Sequence, residues 1–220
     1  MRAKLRNLLG AVPLLAWYGW GLSQEAPTFL DRYVLLSTSA RVDALLALQI
    51  IAQGAVIAFT FFLVVLLLVR DVPRARARGA AAYAATMVGS FAIASFLFLP
   101  AATASVPLFA IAALCITLGS ALSLYTLIYL GRSFALLPSA RRLVTDGPYR
   151  FVRHPLYLFE EIAVLGVMIQ FAQPWSLIVM LVHAVAQFAR MHYEERALTE
   201  AFPEYAAYAA RTARLIPGLY

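Results

Sequence analysis

Apolar residues fill this chain in long unbroken runs, with polar residues gathered into short clusters between them. The clearest run, Ala44 to Val69, carries no charge. At about 1.5 Å per helical residue it is long enough to cross about 30 Å of hydrocarbon. From Gly79 to Gly131 there is again no Asp, Glu, Lys or Arg, and Pro100 and Pro107 bracket a break. Two spans at about 80–99 and 107–130 are expected, joined as a tight hairpin. An earlier run, Leu8 to Leu22, follows Arg2, Lys4 and Arg6, and a polar stretch with Glu25, Asp31, Arg32, Arg41 and Asp43 comes after it. That layout fits a signal peptide cut near Ser23 or a retained first membrane helix, and the retained helix is the expectation. The last apolar region, Ile162 to Ala189, is broken at Gln170 to Pro174. Counted from Pro155 to Tyr193 it gives two helices of roughly 27 Å each, a thin or tilted hairpin.

Charge fixes the orientation of these spans. The N-terminus, the Arg70 to Arg78 loop and the chain from Arg132 onward are all rich in arginine. By the positive-inside rule they face the cytoplasm, with both termini there. A single final crossing would carry Arg190, Arg196, Arg211 and Arg214 to the wrong side, so two crossings are expected. The predicted fold is all-α and polytopic, with about six transmembrane helices and a cytoplasmic interfacial helix. Four spans lie in residues 1–130; residues 131–220 carry a cofactor loop, a helical hairpin and an amphipathic C-terminal helix in the same integral domain.

Composition agrees. Hydrophobic residues make up 63% of the 220, charged residues 13%, and mean hydropathy is +0.79. Soluble domains carry about 25% charged residues. The net charge of +7 lies at the ends of apolar runs, which assigns it to membrane topology rather than nucleic acid. Lys4 stands alone among arginines, which with the high alanine content hints at a GC-rich bacterial genome and the inner membrane. Cys115 is the one cysteine, so an internal disulfide and a cysteine-based metal cluster are excluded.

Two polar clusters flank the final hairpin. The first, GPYRFVRHPLY at 147–157, holds Arg150, Arg153 and His154. Mid-bilayer placement costs about 2.5–3.5 kcal/mol for each Arg, so the segment belongs at the cytoplasmic interface. Asp146, Gly147 and Pro148 signal a turn, and Pro155 extends His154 while starting a helix at its first position. Glu160 and Glu161 in the second turn suit the positive end of the helix dipole. The second cluster begins RMHYEE at Arg190. Arg190 and Glu194 share a helical face, either as a plain surface ion pair or as part of a site, while Glu195 points about 100° away. Phe202 and Pro203 break the helix, and Glu204 to Arg214 reads as an amphipathic interfacial segment.

LVTDGPYRFVRHPLY, followed after one hairpin by RMHYEE and then by EY, Y, R and LIPG, resembles the isoprenylcysteine carboxyl methyltransferase family, within a wider group that includes the phospholipid N-methyltransferases. The resemblance covers about residues 131–218. It implies a membrane methyltransferase that uses S-adenosylmethionine and a lipophilic or membrane-dissolved acceptor. By that resemblance Arg141, Arg142, Leu143, Val144, Tyr149, His154, Pro155, Leu156, Tyr157 and Glu194 hold the cofactor. Arg190 contacts the acceptor, where a guanidinium suits a carboxylate by two parallel hydrogen bonds. Glu195, Tyr205 and Arg211 support or close the pocket. Tyrosine faces such as Tyr149 and Tyr157 attract a sulfonium. An ionised carboxylate acceptor needs no base; an amine or thiol is helped by one, for which Glu194, His154 or Glu160 could serve. The chain departs from the family at Phe159, where a glycine is usual, and that bulk bears on the acceptor more than on the cofactor.

Two other functions compete. A transporter or channel needs ionisable residues along its path, whereas the spans offer mainly Gln49, Gln53, Thr60, Thr86, Ser90, Ser95 and Ser123. A haem protein would take His183 with His154 or His192 as axial ligands; His183 in the hairpin reads first as a hydrogen-bonded core residue.

Overall fold

The computed structural model describes residues 2–39, 43–102, 105–171 and 173–218. Arg41 of the expected polar stretch lies outside the described residues. The chain is helical nearly throughout. Three helical stretches are long and apolar enough to cross a membrane: α3 (Ala44–Val69), α4 (Ala80–Phe91) with the 3₁₀ stretch Ala92–Phe98 that continues it, and α5 (Val106–Leu130) with its short 3₁₀ tail to Ser133. All three were expected, because an uncharged run that must satisfy its backbone in lipid has the helix as its solution. Asp43 caps α3, accepting hydrogen bonds from the backbone N–H groups of Leu45 and Leu46.

The chain before α3 differs from expectation. The Leu8–Leu22 run is split: α1 is Arg2–Leu9 and α2 is Val12–Thr38. Pro13, in the first turn of α2, has no N–H to give to a continuing helix and is well placed to begin one. The polar stretch after Leu22 belongs to α2, which runs on through Ser23 and Pro27. Two of its charged residues, Glu25 and Arg32, find a partner on α3. Buried Gln53 donates to Glu25 Oε2 at 2.7 Å and to Thr28 Oγ1 at 2.7 Å, and its own Oε1 accepts from Arg32 at 2.9 Å.

Helices α6 (Pro155–Ile169) and α7 (Trp175–Ala201) meet at the expected break. They differ in length: α6 has 15 residues, about 22 Å, and α7 has 27. Neither is among the three helices that qualify as spans on length and apolarity, since α7 continues unbroken into the charged residues from Arg190. Helix α6 lies against α5, where a Cβ on Gly119 would strike the backbone of Ala163 and Phe159, and one on Gly166 would come within 2.5 Å of the Ala112 carbonyl oxygen. Glycine at both positions permits this approach.

At the other end of the bundle, β1 (Ala75–Arg76) and β2 (Ser139–Ala140) pair antiparallel, Ala75 opposite Ala140. This joins the loop after α3 to the loop that leads toward α6. Helix α8 (Tyr205–Arg211) packs Tyr205 and Tyr208 against Ala140, Ala197 and Phe202.

Candidate functional site

Pro155 starts α6 as anticipated, with His154 just outside the helix at φ −128° and ψ 56°. The segment before it is held by the C-terminal tail. The backbone N–H of Arg153 donates to the Ala213 carbonyl at 2.8 Å and that of His154 to the Arg214 carbonyl at 3.1 Å. Tyr208 adds its hydroxyl to the Tyr149 carbonyl at 2.7 Å. Sequence reasoning missed the tail at 212–214, because a backbone-to-backbone bridge leaves no side-chain pattern to read.

Glu195 draws the two polar clusters together. Its Oε1 lies 3.0 Å from His154 Nε2, 3.2 Å from Arg153 Nη1 and 3.3 Å from Arg214 Nε. Burial pushes this carboxyl up, but the His154 hydrogen bond and the charges of His154, Arg153 and Arg214 outweigh it, so Glu195 is held below its ordinary value.

Behind this clasp lies a narrow cleft. Its walls include Leu136, Tyr149, His154, Tyr157, Arg190 and Glu194, with Glu160, Leu156 and the Ser133–Ala135 segment completing them. The Tyr157 hydroxyl donates to Glu194 Oε2 at 2.9 Å, joining α6 to α7. The Arg190 guanidinium stands 5.1 Å from the Tyr157 ring centroid, a cation–π arrangement. Arg190 is 5% exposed and donates to Gln187 Oε1 and, at 3.0 Å, to the Leu136 carbonyl. It is therefore not the arginine of a surface ion pair; its hydrogen bonds go to Gln187 and Leu136. Its Nε has no hydrogen-bond partner among the described residues.

Glu160 and Glu161 also bind across the hairpin. Gln187 Nε2 donates to Glu160 at 2.9 Å, and His183 Nδ1 lies 2.8 Å from Glu161. His183 is a buried, hydrogen-bonded core residue. Phe159 is not part of the cleft wall; its backbone oxygen faces Gly119 on α5, and the next residue, Glu160, turns inward instead.

Of the residues singled out for the cofactor, Tyr149, His154, Leu156, Tyr157 and Glu194 line this cleft, and Pro155 is buried beside it. The segment before Asp146 goes elsewhere. Arg141 is buried against the Asp71 carbonyl, Ser139 and Asn7, Arg142 is exposed, Leu143 packs with the α8 cluster and Val144 is half-buried. Arg211 is exposed. Leu136 and Phe134, which sequence reasoning did not select, form the apolar side of the cleft.

The chemistry of the donor set fits S-adenosylmethionine. A carboxylate with Oε2 on a tyrosine, aromatic faces and backbone groups near His154 suit its ammonium, sulfonium and ribose.

Comparison with known proteins points the same way. Residues 103–205 match the phospholipid methyltransferase family. Protein-S-isoprenylcysteine O-methyltransferase B of Arabidopsis thaliana is 37% identical over 109 residues, 46% of this chain and 55% of that protein. The cobalt-zinc-cadmium resistance protein CzcN of Cupriavidus metallidurans is 45% identical over 82 residues, 35% of this chain and 36% of that protein. The nickel-cobalt-cadmium resistance protein NccN of Alcaligenes xylosoxydans xylosoxydans is 39% identical over 79 residues, 35% and 37% respectively. The matched stretches thus span about a third to just over half the length of these relatives. Over residues 103–205 the chain is thus similar to the phospholipid methyltransferases, and over 109 residues to an isoprenylcysteine O-methyltransferase.

Proposed function

We propose that this chain is an integral membrane methyltransferase that uses S-adenosylmethionine to methylate a lipophilic acceptor at the cytoplasmic face of a bacterial inner membrane. The observation that carries the reading is the meeting of two motifs far apart in sequence, Tyr157 of RHPLY with Arg190 and Glu194 of RMHYEE, in one cleft. Six crossings fit this function: α1–α2 as the first, the three long apolar helices, and α6–α7 as a hairpin entering from the cytoplasm. The arginines at both ends of that hairpin support the topology.

When bound, S-adenosylmethionine supplies an electrophilic methyl group on a sulfonium. Glu194, fixed by Tyr157, holds the cofactor's polar groups. Tyr149 and His154 form the wall beside it, and Glu195 keeps His154 in place. Arg141, Arg142, Leu143 and Val144 stand outside the wall of this cleft. Arg190, with its Nε unpaired, orients an acceptor oxygen, and positioning of this kind supplies roughly 7–11 kcal/mol of a transfer barrier without a covalent intermediate. Glu160 sits beside Arg190 as the carboxylate nearest to serve an acceptor that must lose a proton. Leu130, Phe134 and Leu136 offer the greasy part of the acceptor an apolar side.

Calorimetric titration of the detergent-solubilised protein with S-adenosylhomocysteine tests the reading. Binding is expected in wild type, and Glu194→Ala should weaken it at least about tenfold, or about 1.4 kcal/mol. Arg190→Gln should keep cofactor affinity. Absence of binding to the wild-type protein would return a transporter to first place.

A further inference from the structure

A second cleft lies apart from the one at Glu194, where the cytoplasmic end of α3 meets the β1–β2 pair. It is narrow, and its lining includes Asn7, Arg70, Arg76, Tyr83, Ser139 and Arg141. Three of these are arginines, and no lining residue is acidic.

The acid nearest in sequence does not balance them. Asp71 directs its carboxylate to Arg132 at 2.7 Å, and offers only its backbone oxygen to Arg141 Nε, at 2.6 Å. Arg141, 7% exposed, donates otherwise to Ser139 Oγ at 2.7 Å and to Asn7 Oδ1 at 3.4 Å. Arg70, 5% exposed, donates to the Asn7 carbonyl at 2.8 Å, and its Nε has no hydrogen-bond partner among the described residues. Among the described residues, the two buried guanidiniums thus donate only to neutral oxygens. Burial and the charge of Arg76 pull the Arg70 pKa down; burial, then Arg70 and Arg76, bring that of Arg141 to about 9, against a smaller opposing pull from the Asp71 and Glu194 carboxylates. Buried like charges without a counter-ion are costly, and an external anion relieves that cost.

Position narrows the choice of anion. Arg70 is the residue that ends α3, a membrane-spanning candidate, so the cleft sits at headgroup depth. Tyr83 of α4, 51% exposed, stands at the cleft as an interfacial aromatic. Basic pockets between helices on the cytoplasmic side are suited to anionic headgroups. We propose that this cleft binds the phosphate of an anionic phospholipid, with Arg70, Arg76 and Arg141 as its donors. A headgroup with net negative charge is favoured over a zwitterionic one, whose own cation would meet three guanidiniums that have no carboxylate within ion-pair distance among the described residues. Because Ser139 and Ala140 lead into the segment that reaches His154, the bound lipid also ties that segment to α3. The proposal needs the membrane placement of α3, and does not need methyl transfer.

The test uses the full detergent-solubilised chain, thermal unfolding and native mass spectrometry. The probes are phosphatidylglycerol, phosphatidylcholine and inorganic phosphate, each with and without S-adenosylhomocysteine. Phosphatidylglycerol is expected to raise Tm by about 3 °C and to be retained as a single adduct. Arg70→Gln should abolish the shift. Arg76→Gln, a change at an exposed side chain, should weaken lipid retention about fivefold with S-adenosylhomocysteine affinity unchanged, and it keeps the test open where Arg70→Gln fails to fold. An equal shift with phosphatidylcholine, or with inorganic phosphate alone, overturns the anionic-lipid assignment. So does an unchanged shift in Arg76→Gln, or displacement of the lipid by S-adenosylhomocysteine. Failure of S-adenosylhomocysteine to bind, with the lipid shift intact, leaves this proposal standing and removes the methyltransferase one.

Discussion

Two groups of arginines stand at the same end of the molecule and are built on opposite terms. At the hairpin, Arg153, Arg214 and His154 converge on one carboxylate, Glu195, within 3.0–3.3 Å. At the end of α3, Arg70, Arg76 and Arg141 line a cleft that contains no carboxylate. The first group is balanced from within and reads as a clasp holding the His154 segment to α7 and the C-terminal tail. The second has no carboxylate within ion-pair distance among the described residues, which leaves a place for a balancing anion from outside the chain. The counter-ion's origin, and not the number of arginines, separates a structural cluster from a binding site.

Removing the internal counter-ion should have the largest effect. Glu195→Gln leaves three basic groups facing a neutral amide. Glu195 keeps 19% side-chain exposure, so the loss is smaller than for a fully buried pair, about 2 kcal/mol. Tm of the solubilised protein should fall by about 4–8 °C, and S-adenosylhomocysteine binding should weaken as His154 loses its anchor. An unchanged Tm would show that the clasp is no more than a surface contact.

Acid should do the same reversibly, with a smaller amplitude at moderate pH. The Glu195 carboxyl lies below its ordinary value in the folded protein. Its contribution is therefore complete above the unfolded value, about 4.3, and is lost as pH falls through the folded one. Thermal unfolding followed from pH 6 to pH 3 should show a decline that is flatter in Glu195→Gln than in wild type. Parallel curves would remove the clasp from the explanation. The α3 cleft has no carboxylate to protonate, so lipid retention should survive over the part of that range in which the lipid phosphate stays ionised.

These contrasts were only partly legible in the sequence. Helices α3, α4 and α5 could be read off because uncharged runs have one backbone solution in lipid. The continuation of α2 past Leu22 could not, because Glu25 and Arg32 look like loop residues until Gln53 of α3 is placed between them. Pro155 marked the start of α6 by its own stereochemistry, and the spacing of Arg190 and Glu194 placed both on one face of α7. The direction taken by Arg141 was hidden. Its partners Asn7 and Asp71 lie 134 and 70 residues away, and nothing local to the RRLVT segment records them. The inward turn of Glu160 in place of Phe159 likewise depends on how closely Gly119 lets α5 approach.

A counter-ion can also be added where the chain has none. Ala77 lines the arginine cleft and is half-buried. Ala77→Asp would give the α3 group the internal balance that Glu195 gives the other. The lipid-free protein should gain about 1 kcal/mol, seen as a Tm rise of about 2–4 °C. Phosphatidylglycerol should then add nothing further. A lipid-induced rise of wild-type size in this variant would mean that the lipid binds elsewhere.

The smallest effect is expected at Arg142, and it separates resemblance from geometry. The motif that resembles the methyltransferases places Arg142 among the cofactor residues, whereas here its side chain is exposed and lines neither cleft. An exposed arginine in water contributes little to a neighbouring charge, since solvent and salt screen it within about 8–10 Å. Arg142→Ala should therefore leave S-adenosylhomocysteine affinity within about twofold of wild type, below about 0.4 kcal/mol, and Tm unchanged. Glu194→Ala, measured in the same titration, should differ from it by at least about fivefold. Equal losses in the two variants would show that the 141–144 segment folds over the cofactor on binding. In that case Arg141 would have to leave Asn7, and the two arginine groups would share one ligand.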